Sequence, residues 1–170
     1  MIQKKICMVG TFGVGKTSLV ARYVAGKFSD KYLTSVGVKI SRKELKVDGQ
    51  DVNLLLWDMA GEDKLTQINP TQLRGASGYI LVADGCQAST FEALFYLQKR
   101  VKATLGDVPF TCVINKLDLR EQWEVNEESL ARLRELGWTF LLSSAKSGEG
   151  VEELFQGLGD RILSGTETHG

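Results

Sequence analysis

The sequence predicts an α/β fold, with six short strands in a mixed sheet and helices between them. Three observations carry this. Apolar residues fall in short runs bounded by Gly, Asp and Asn. These runs alternate with longer stretches of helical period. One pair of runs is joined by Asp48-Gly49, a strong hairpin signal, so that pair is antiparallel while the rest are parallel.

The first strand spans about 2–9, and a glycine-rich segment leads from it into a helical stretch containing Leu19, Val20, Tyr23 and Val24. The hairpin strands are 38–47 and 51–57, followed by a strand at 77–83. Phe91, Leu94, Phe95, Val101 and Leu105 then mark the inward face of a helix. After a strand at 110–115, Asn126 caps a helix over 127–136, with Val125 and Leu130 placed as a hydrophobic staple and Gly137 as its stop. The last strand, 138–143, precedes a helix whose buried face is Val151, Leu154, Phe155, Leu158 and Ile162. Pro70 and Pro109 fall in or beside loops, and the polar stretch 164–170 is left as a flexible tail.

At 170 residues the chain is long enough for one continuous core and short for two, so a single domain over 1–163 is expected. Its 21 basic and 21 acidic residues cancel, which argues against nucleic acid or an anionic membrane as a bulk electrostatic partner. Any polyanion must be held by a local site. The single histidine, His169, stands one residue from the end in a polar stretch, so a Ser-His-Asp triad or a histidine-built metal site is not expected. Cys7, Cys86 and Cys112 are odd in number, and the first and last lie in apolar runs, which fits a reducing, cytoplasmic setting. No secretory leader or membrane span is read in the chain.

Gly10-Thr11-Phe12-Gly13-Val14-Gly15-Lys16-Thr17 follows the first strand and opens a helix. In that context glycines let successive N–H groups point at phosphate oxygens, and the helix N-terminus adds a favourable dipole. Lys16 is placed to neutralise the β- and γ-phosphates, and Thr17 offers a hydroxyl to Mg²⁺. The base is read elsewhere. Asn115-Lys116-Leu117-Asp118 stands at the carboxyl end of a parallel strand, where open α/β sheets bind ligands. Guanine presents two adjacent donors, N1–H and the 2-amino group, which the Asp118 carboxylate can accept together; adenine has an acceptor at N1 and would repel it.

With Asp58-Met59-Ala60-Gly61 after the third strand and Ser144-Ala145-Lys146 after the last, the span from about 2 to 163 resembles the Ras superfamily of small GTPases. Leu56-Trp57-Asp58-Met59-Ala60-Gly61 and Val36-Gly37-Val38 give the resemblance a Rab-like character. It implies a P-loop NTPase G domain with strand order 2-3-1-4-5-6 and five flanking helices. It implies a GTP/GDP switch that slowly hydrolyses GTP, with Mg²⁺ as cofactor. By the same resemblance Gly13, Val14, Gly15, Lys16, Thr17 and Ser18 hold phosphates, with Ser18 at the α-phosphate. Phe28 packs on guanine, Lys116 lies along the ring, and Ala145, between Ser144 and Lys146, gives its N–H to the base oxygen. Thr17, Ser35 and Asp58 serve the metal, with Thr34 as the alternative to Ser35 if the loop is in another register. Gly61 bonds the γ-phosphate, and Lys16, Gly61 and Glu62 form the catalytic set. Two switch loops, about 28–38 and 61–75, would then meet effectors, exchange factors and activating proteins. Trp57, Val36, Val38, Leu65 and Ile68 are read either as core packing or, where exposed, as the effector patch.

Two residues depart from the family pattern. Glu62 stands where most relatives carry the glutamine that orients the attacking water. A carboxylate accepts from water but has no N–H to donate, and it sits beside a charged phosphate. Slow turnover is expected, and in the limit a GTP-binding interaction module with little hydrolysis. Phe12 stands where relatives have glycine or a small polar residue; its ring either obstructs a partner's arginine or points away as an apolar lid. No arginine lies between Tyr23 and Ile40 to act internally. The chain ends without a cysteine box, so no lipid anchor is expected, as in lipid-free bacterial members of the superfamily, and a monomer is anticipated.

Overall fold

The computed structural model describes residues 2–25, 38–59 and 69–168. Among these, six strands form one sheet in the order β2-β3-β1-β4-β5-β6. The strands are β1 (Ile2–Val9), β2 (Lys39–Val47), β3 (Gln50–Asp58), β4 (Gly78–Asp84), β5 (Phe110–Asn115) and β6 (Phe140–Leu142). The helices are α1 (Lys16–Ala25), α2 (Pro70–Leu73), α3 (Ala88–Leu105), α4 (Glu127–Glu135) and α5 (Val151–Thr168).

Only β2 and β3 pair antiparallel, with Val47 opposite Gln50. The turn between them places Asp48 at φ 50° and Gly49 at φ 79°, the two left-handed residues that a tight hairpin matching sheet twist requires. The other pairs are parallel and demand crossovers, in which α1 lies between β1 and β3, α3 between β4 and β5, and α4 between β5 and β6.

Side-chain alternation divides the core. Ile6, Met8, Leu54, Leu56, Ile80 and Val82 face one side and meet Leu19, Tyr23, Leu154, Phe155 and Leu158 of α1 and α5. Cys7, Val9, Leu81, Ala83, Cys112 and Ile114 face the other and meet Phe91, Leu94, Leu97, Leu130 and Leu133 of α3 and α4. Tyr23 and Phe155 stack with ring centroids 4.3 Å apart, joining α1 to α5 behind the phosphate loop. The cap of α4 is as expected from its sequence: Asn126 accepts from the Ser129 N–H, Ser129 answers the Asn126 N–H, and Gly137 turns out at φ 73°.

Two local readings are corrected, at the last strand and at the tail, and two short segments are added. The last strand is confined to Phe140–Leu142, because the Trp138 N–H closes back on the Leu133 carbonyl instead of joining the sheet. Pro70 stands beside a loop and opens the short helix α2; its missing N–H costs nothing at a first helical position, and Asn69 accepts from the Thr71 N–H. Leu117–Gln122 forms a 3₁₀ segment with no apolar periodicity to announce it. Finally, α5 continues helical through Thr168, since a helix nucleated on a buried face propagates into polar residues beyond it.

Candidate functional site

The site lies where β1, β4, β5 and β6 end. From β1 the chain turns at Gly10, where an added Cβ would stand 2.6 Å from the Val82 carbonyl, so the loop leaves the sheet in close contact with β4. Gly13 (φ 81°) and Gly15 (φ 103°) adopt backbone conformations that side chains disfavour, and Lys16 then begins α1. This is the concave, amide-lined turn expected to cradle an anion.

Lys16 is only 6% exposed, and its ammonium donates to the Gly10 carbonyl at 2.7 Å. Burial pulls its pKa down to about 8 against the opposing pull of Asp58. Asp58, at the end of β3, is also buried; burial raises its pKa, while a hydrogen bond from Thr17 and the charges of Lys16 and Lys39 oppose the rise. The Thr17 hydroxyl donates to the Asp58 carboxylate at 2.5 Å. A hydroxyl and a buried carboxylate in contact form a hard oxygen donor pair, the chemistry that suits Mg²⁺.

A second loop is locked onto the first. Asn115 is buried at the end of β5; its Nδ2 donates to the Val14 carbonyl at 3.0 Å, and its Oδ1 accepts from the Ala145 N–H at 3.2 Å and the Ser143 hydroxyl at 3.4 Å. Lys116, at φ 74°, donates from Nζ to the Gly13 carbonyl at 3.2 Å. Ser144 donates to the Asp118 carboxylate at 2.7 Å and accepts from the Ser147 N–H. Asp118 itself is exposed, at the start of the 3₁₀ segment, where its carboxylate can meet a ligand. Thus Gly13, Val14, Gly15, Lys16, Thr17, Ser18, Asp58, Asn115, Lys116, Asp118, Ser144, Ala145 and Lys146 are gathered at one end of the sheet. Phe28, Thr34, Ser35, Gly61 and Glu62 lie outside the described residues, as do Val36, Leu65 and Ile68. Val38 and Trp57 are partly buried against the core. The ring of Phe12 is 68% exposed.

Residues 5–164 match the Ras family model. The chain belongs to the Ras family. It is Rab-like, being 34% identical to the Ras-related protein Rab-21 of mouse over 161 residues, which cover 94% of this chain and 72% of that one. It is also 35% identical to the Rab-21 of the sponge Geodia cydonium over 164 residues, 95% of this chain and 72% of the relative. With the Ras-related protein SEC4 of Saccharomyces cerevisiae it shares 35% over 152 residues, 89% and 71% of the two chains. These animal and yeast relatives lend no support to a bacterial member. As a member of the family the chain is a GTP-binding switch and a GTPase.

Three further residues serve this Ras-family site that motif reading did not find. Asp84, 1% exposed at the end of β4, accepts from Lys116 Nζ at 2.8 Å and from the Cys86 N–H. Trp123 donates from its indole to the Lys116 carbonyl at 2.8 Å and packs so closely on Gly85 that a Cβ there would stand 2.1 Å from the ring. Arg22 of α1 donates to the Lys146 and Ser147 carbonyls, both at 3.1 Å, bracing the loop after β6. An acidic residue closing a parallel strand was a usable signal for Asp84; Arg22 and Trp123 carried none. Among the described residues, no helix is long and apolar enough to cross a membrane.

Proposed function

We propose a residue-level assignment for this GTPase. Gly13, Val14, Gly15, Lys16, Thr17 and Ser18 hold the phosphates, with Lys16 supplying positive charge where the transferred group gains negative charge. Thr17, Asp58 and Ser35 hold Mg²⁺, which when bound offsets charge on the β- and γ-phosphate oxygens. Asp118 accepts from N1–H and the 2-amino group of guanine, Lys116 lies along the ring, and Phe28 packs on it. Ala145 presents its N–H toward the base oxygen in competition with Asn115, which accepts that N–H here. The observation that carries the reading is the pair of bonds from Asn115 to Val14 and from Lys116 to Gly13, which holds a base-reading loop at a fixed distance from a phosphate-binding one.

Residues 28–38 and 61–75 form the effector-facing switches, tethered through Ser35 and Gly61 when the γ-phosphate is present. The three free thiols support a reducing, cytoplasmic setting. The decisive test is Asp118→Asn. It removes an acceptor for two charge-assisted bonds worth about 1.5–3 kcal/mol each, so guanosine nucleotide affinity should fall by roughly a hundredfold or more. Xanthosine nucleotides, with a carbonyl in place of the amino group, should recover the loss; unchanged GDP affinity on titration would refute the assignment.

Glu62 makes hydrolysis slow because it accepts from water without donating to the transferring group. Glu62→Gln should therefore raise the single-turnover rate about tenfold or more. A rate at or below wild type would remove Glu62 from the catalytic set.

A further inference from the structure

Lys5, in the middle of β1, is absorbed by none of the roles above. Its ammonium donates to the Gln72 carbonyl at 2.6 Å and to the Arg74 carbonyl at 2.8 Å. These belong to the end of α2, a one-turn helix whose last carbonyls have no partner within the helix. The same ammonium lies 3.4 Å from the centroid of the Trp57 ring, on β3 immediately before Asp58. The Trp57 indole N–H is buried and finds no acceptor among the described residues, so the face of the ring against Lys5 is its polar contact. The Lys5 carbonyl also accepts from the Ser77 N–H at 2.8 Å, leading the chain into β4.

One side chain thus joins the exit from β3 at Trp57, just before the proposed second switch, to Gln72 and Arg74 in its last turn. From these contacts we infer that Lys5 is a positioning residue for GTP hydrolysis. Its side-chain contacts are with Trp57, Gln72 and Arg74, none of them assigned to the nucleotide or the metal, and it acts by fixing the backbone on either side of Gly61 and Glu62. Residues that hold the ends of such a segment affect turnover from a distance, because a displacement of about an ångström at a reacting group lowers the rate steeply. Lysine is suited to this place. Three donors on one ammonium serve two carbonyls while the charge meets an aromatic face, a combination that a neutral side chain lacks.

The inference rests on the reading that Gly61 and Glu62 act in hydrolysis, and the experiment separates the two. Single-turnover GTP hydrolysis and the affinity for a fluorescent GDP are measured on wild type, Lys5→Met, Lys5→Arg and Trp57→Leu. In Lys5→Met the hydrolysis rate should fall about tenfold while GDP affinity stays within about twofold, the signature of a lost positioning contact rather than lost binding. Lys5→Arg, which keeps charge, donors and ring stacking, should stay within about threefold of wild type. Trp57→Leu should lose activity in the same direction with the carbonyl bonds intact. A Lys5→Met protein that hydrolyses at the wild-type rate overturns the inference, as does a loss of GDP affinity in proportion to the loss of rate. If Lys5→Met does not fold, Lys5→Gln replaces it under the same criteria. If instead substitutions at Gly61 and Glu62 leave the rate untouched, the underlying reading fails, whatever Lys5 does.

Discussion

Cys7, Cys86 and Cys112 show how strongly surroundings set the chemistry of one residue type. Burial pushes the Cys7 thiol up to about 11 against the pull of Lys5, and pushes the fully buried Cys112 thiol higher still. Cys86, partly exposed beside Asp84, is raised too, by partial burial and then by that carboxylate. At pH 8, iodoacetamide should therefore label Cys86 slowly and leave Cys7 and Cys112 intact in the native protein, with all three labelled in denaturant; mass spectrometry reads the count. A thiol whose folded pKa is raised favours the folded state below its unfolded pKa. That contribution is lost as pH rises from about 9 toward 11, at up to about 1.4 kcal/mol per pH unit for each thiol. Single residues also mark what could be read early. Asp118 was legible because its meaning lies in local spacing after a strand. Asp84 and Lys5 act through partners far along the chain, Lys116 for the first and Trp57, Gln72 and Arg74 for the second, which periodicity does not reveal.

Between elements, the ends of β4 and β5 are joined by an ion pair between buried Asp84 and partly exposed Lys116, and the phosphate loop is bonded to that joint. Lys116 sits at positive φ, a strained conformation for a residue with a side chain, maintained by Asp84, the Gly13 carbonyl and Trp123 together. Asp84→Asn keeps the shape but removes the negative partner, leaving the Lys116 charge without its counter-ion. Nucleotide release should quicken by roughly 10- to 100-fold, matching a charged hydrogen bond of about 1.5–3 kcal/mol. Stopped-flow displacement of fluorescent GDP measures it, and an off-rate within about twofold of wild type would show the pair to be structural only. The same elements explain which boundaries were misread. The Asp48-Gly49 hairpin and the Asn126 cap depend on residues adjacent in sequence, and both were evident. The short β6 depends on Trp138, which packs against Phe95 and Phe110 from two other elements.

For the molecule as a whole, ligand binding and folding are one equilibrium, because the two loops meet only when β1, β4, β5 and β6 are assembled in that order in one sheet. A nucleotide bound only by the native state adds about 4 kcal/mol at a concentration a thousand times its dissociation constant. For a domain of this size that corresponds to a rise in Tm of roughly 8–16 °C. Mg²⁺ with GDP should produce such a shift in differential scanning fluorimetry and Mg²⁺ with ADP should produce almost none, since the role proposed for Asp118 sets its carboxylate against the adenine N1 acceptor. An equal or larger shift with ADP would contradict guanine selection.

The residues to which the chemistry is assigned were named from the sequence alone. A glycine loop, a lysine and a hydroxyl must be contiguous to wrap a phosphate, and a carboxylate must follow a strand closely to meet the base. Contiguous motifs leave local signatures. Tertiary structure decided what holds them in place: Asn115 bridging two loops, Asp84 bonded to Lys116, Arg22 bracing the segment after β6, and Lys5 joining Trp57 to the end of α2. Those contacts join residues far apart along the chain, and a hydrogen bond between distant residues exists only once the sheet has set its strand order.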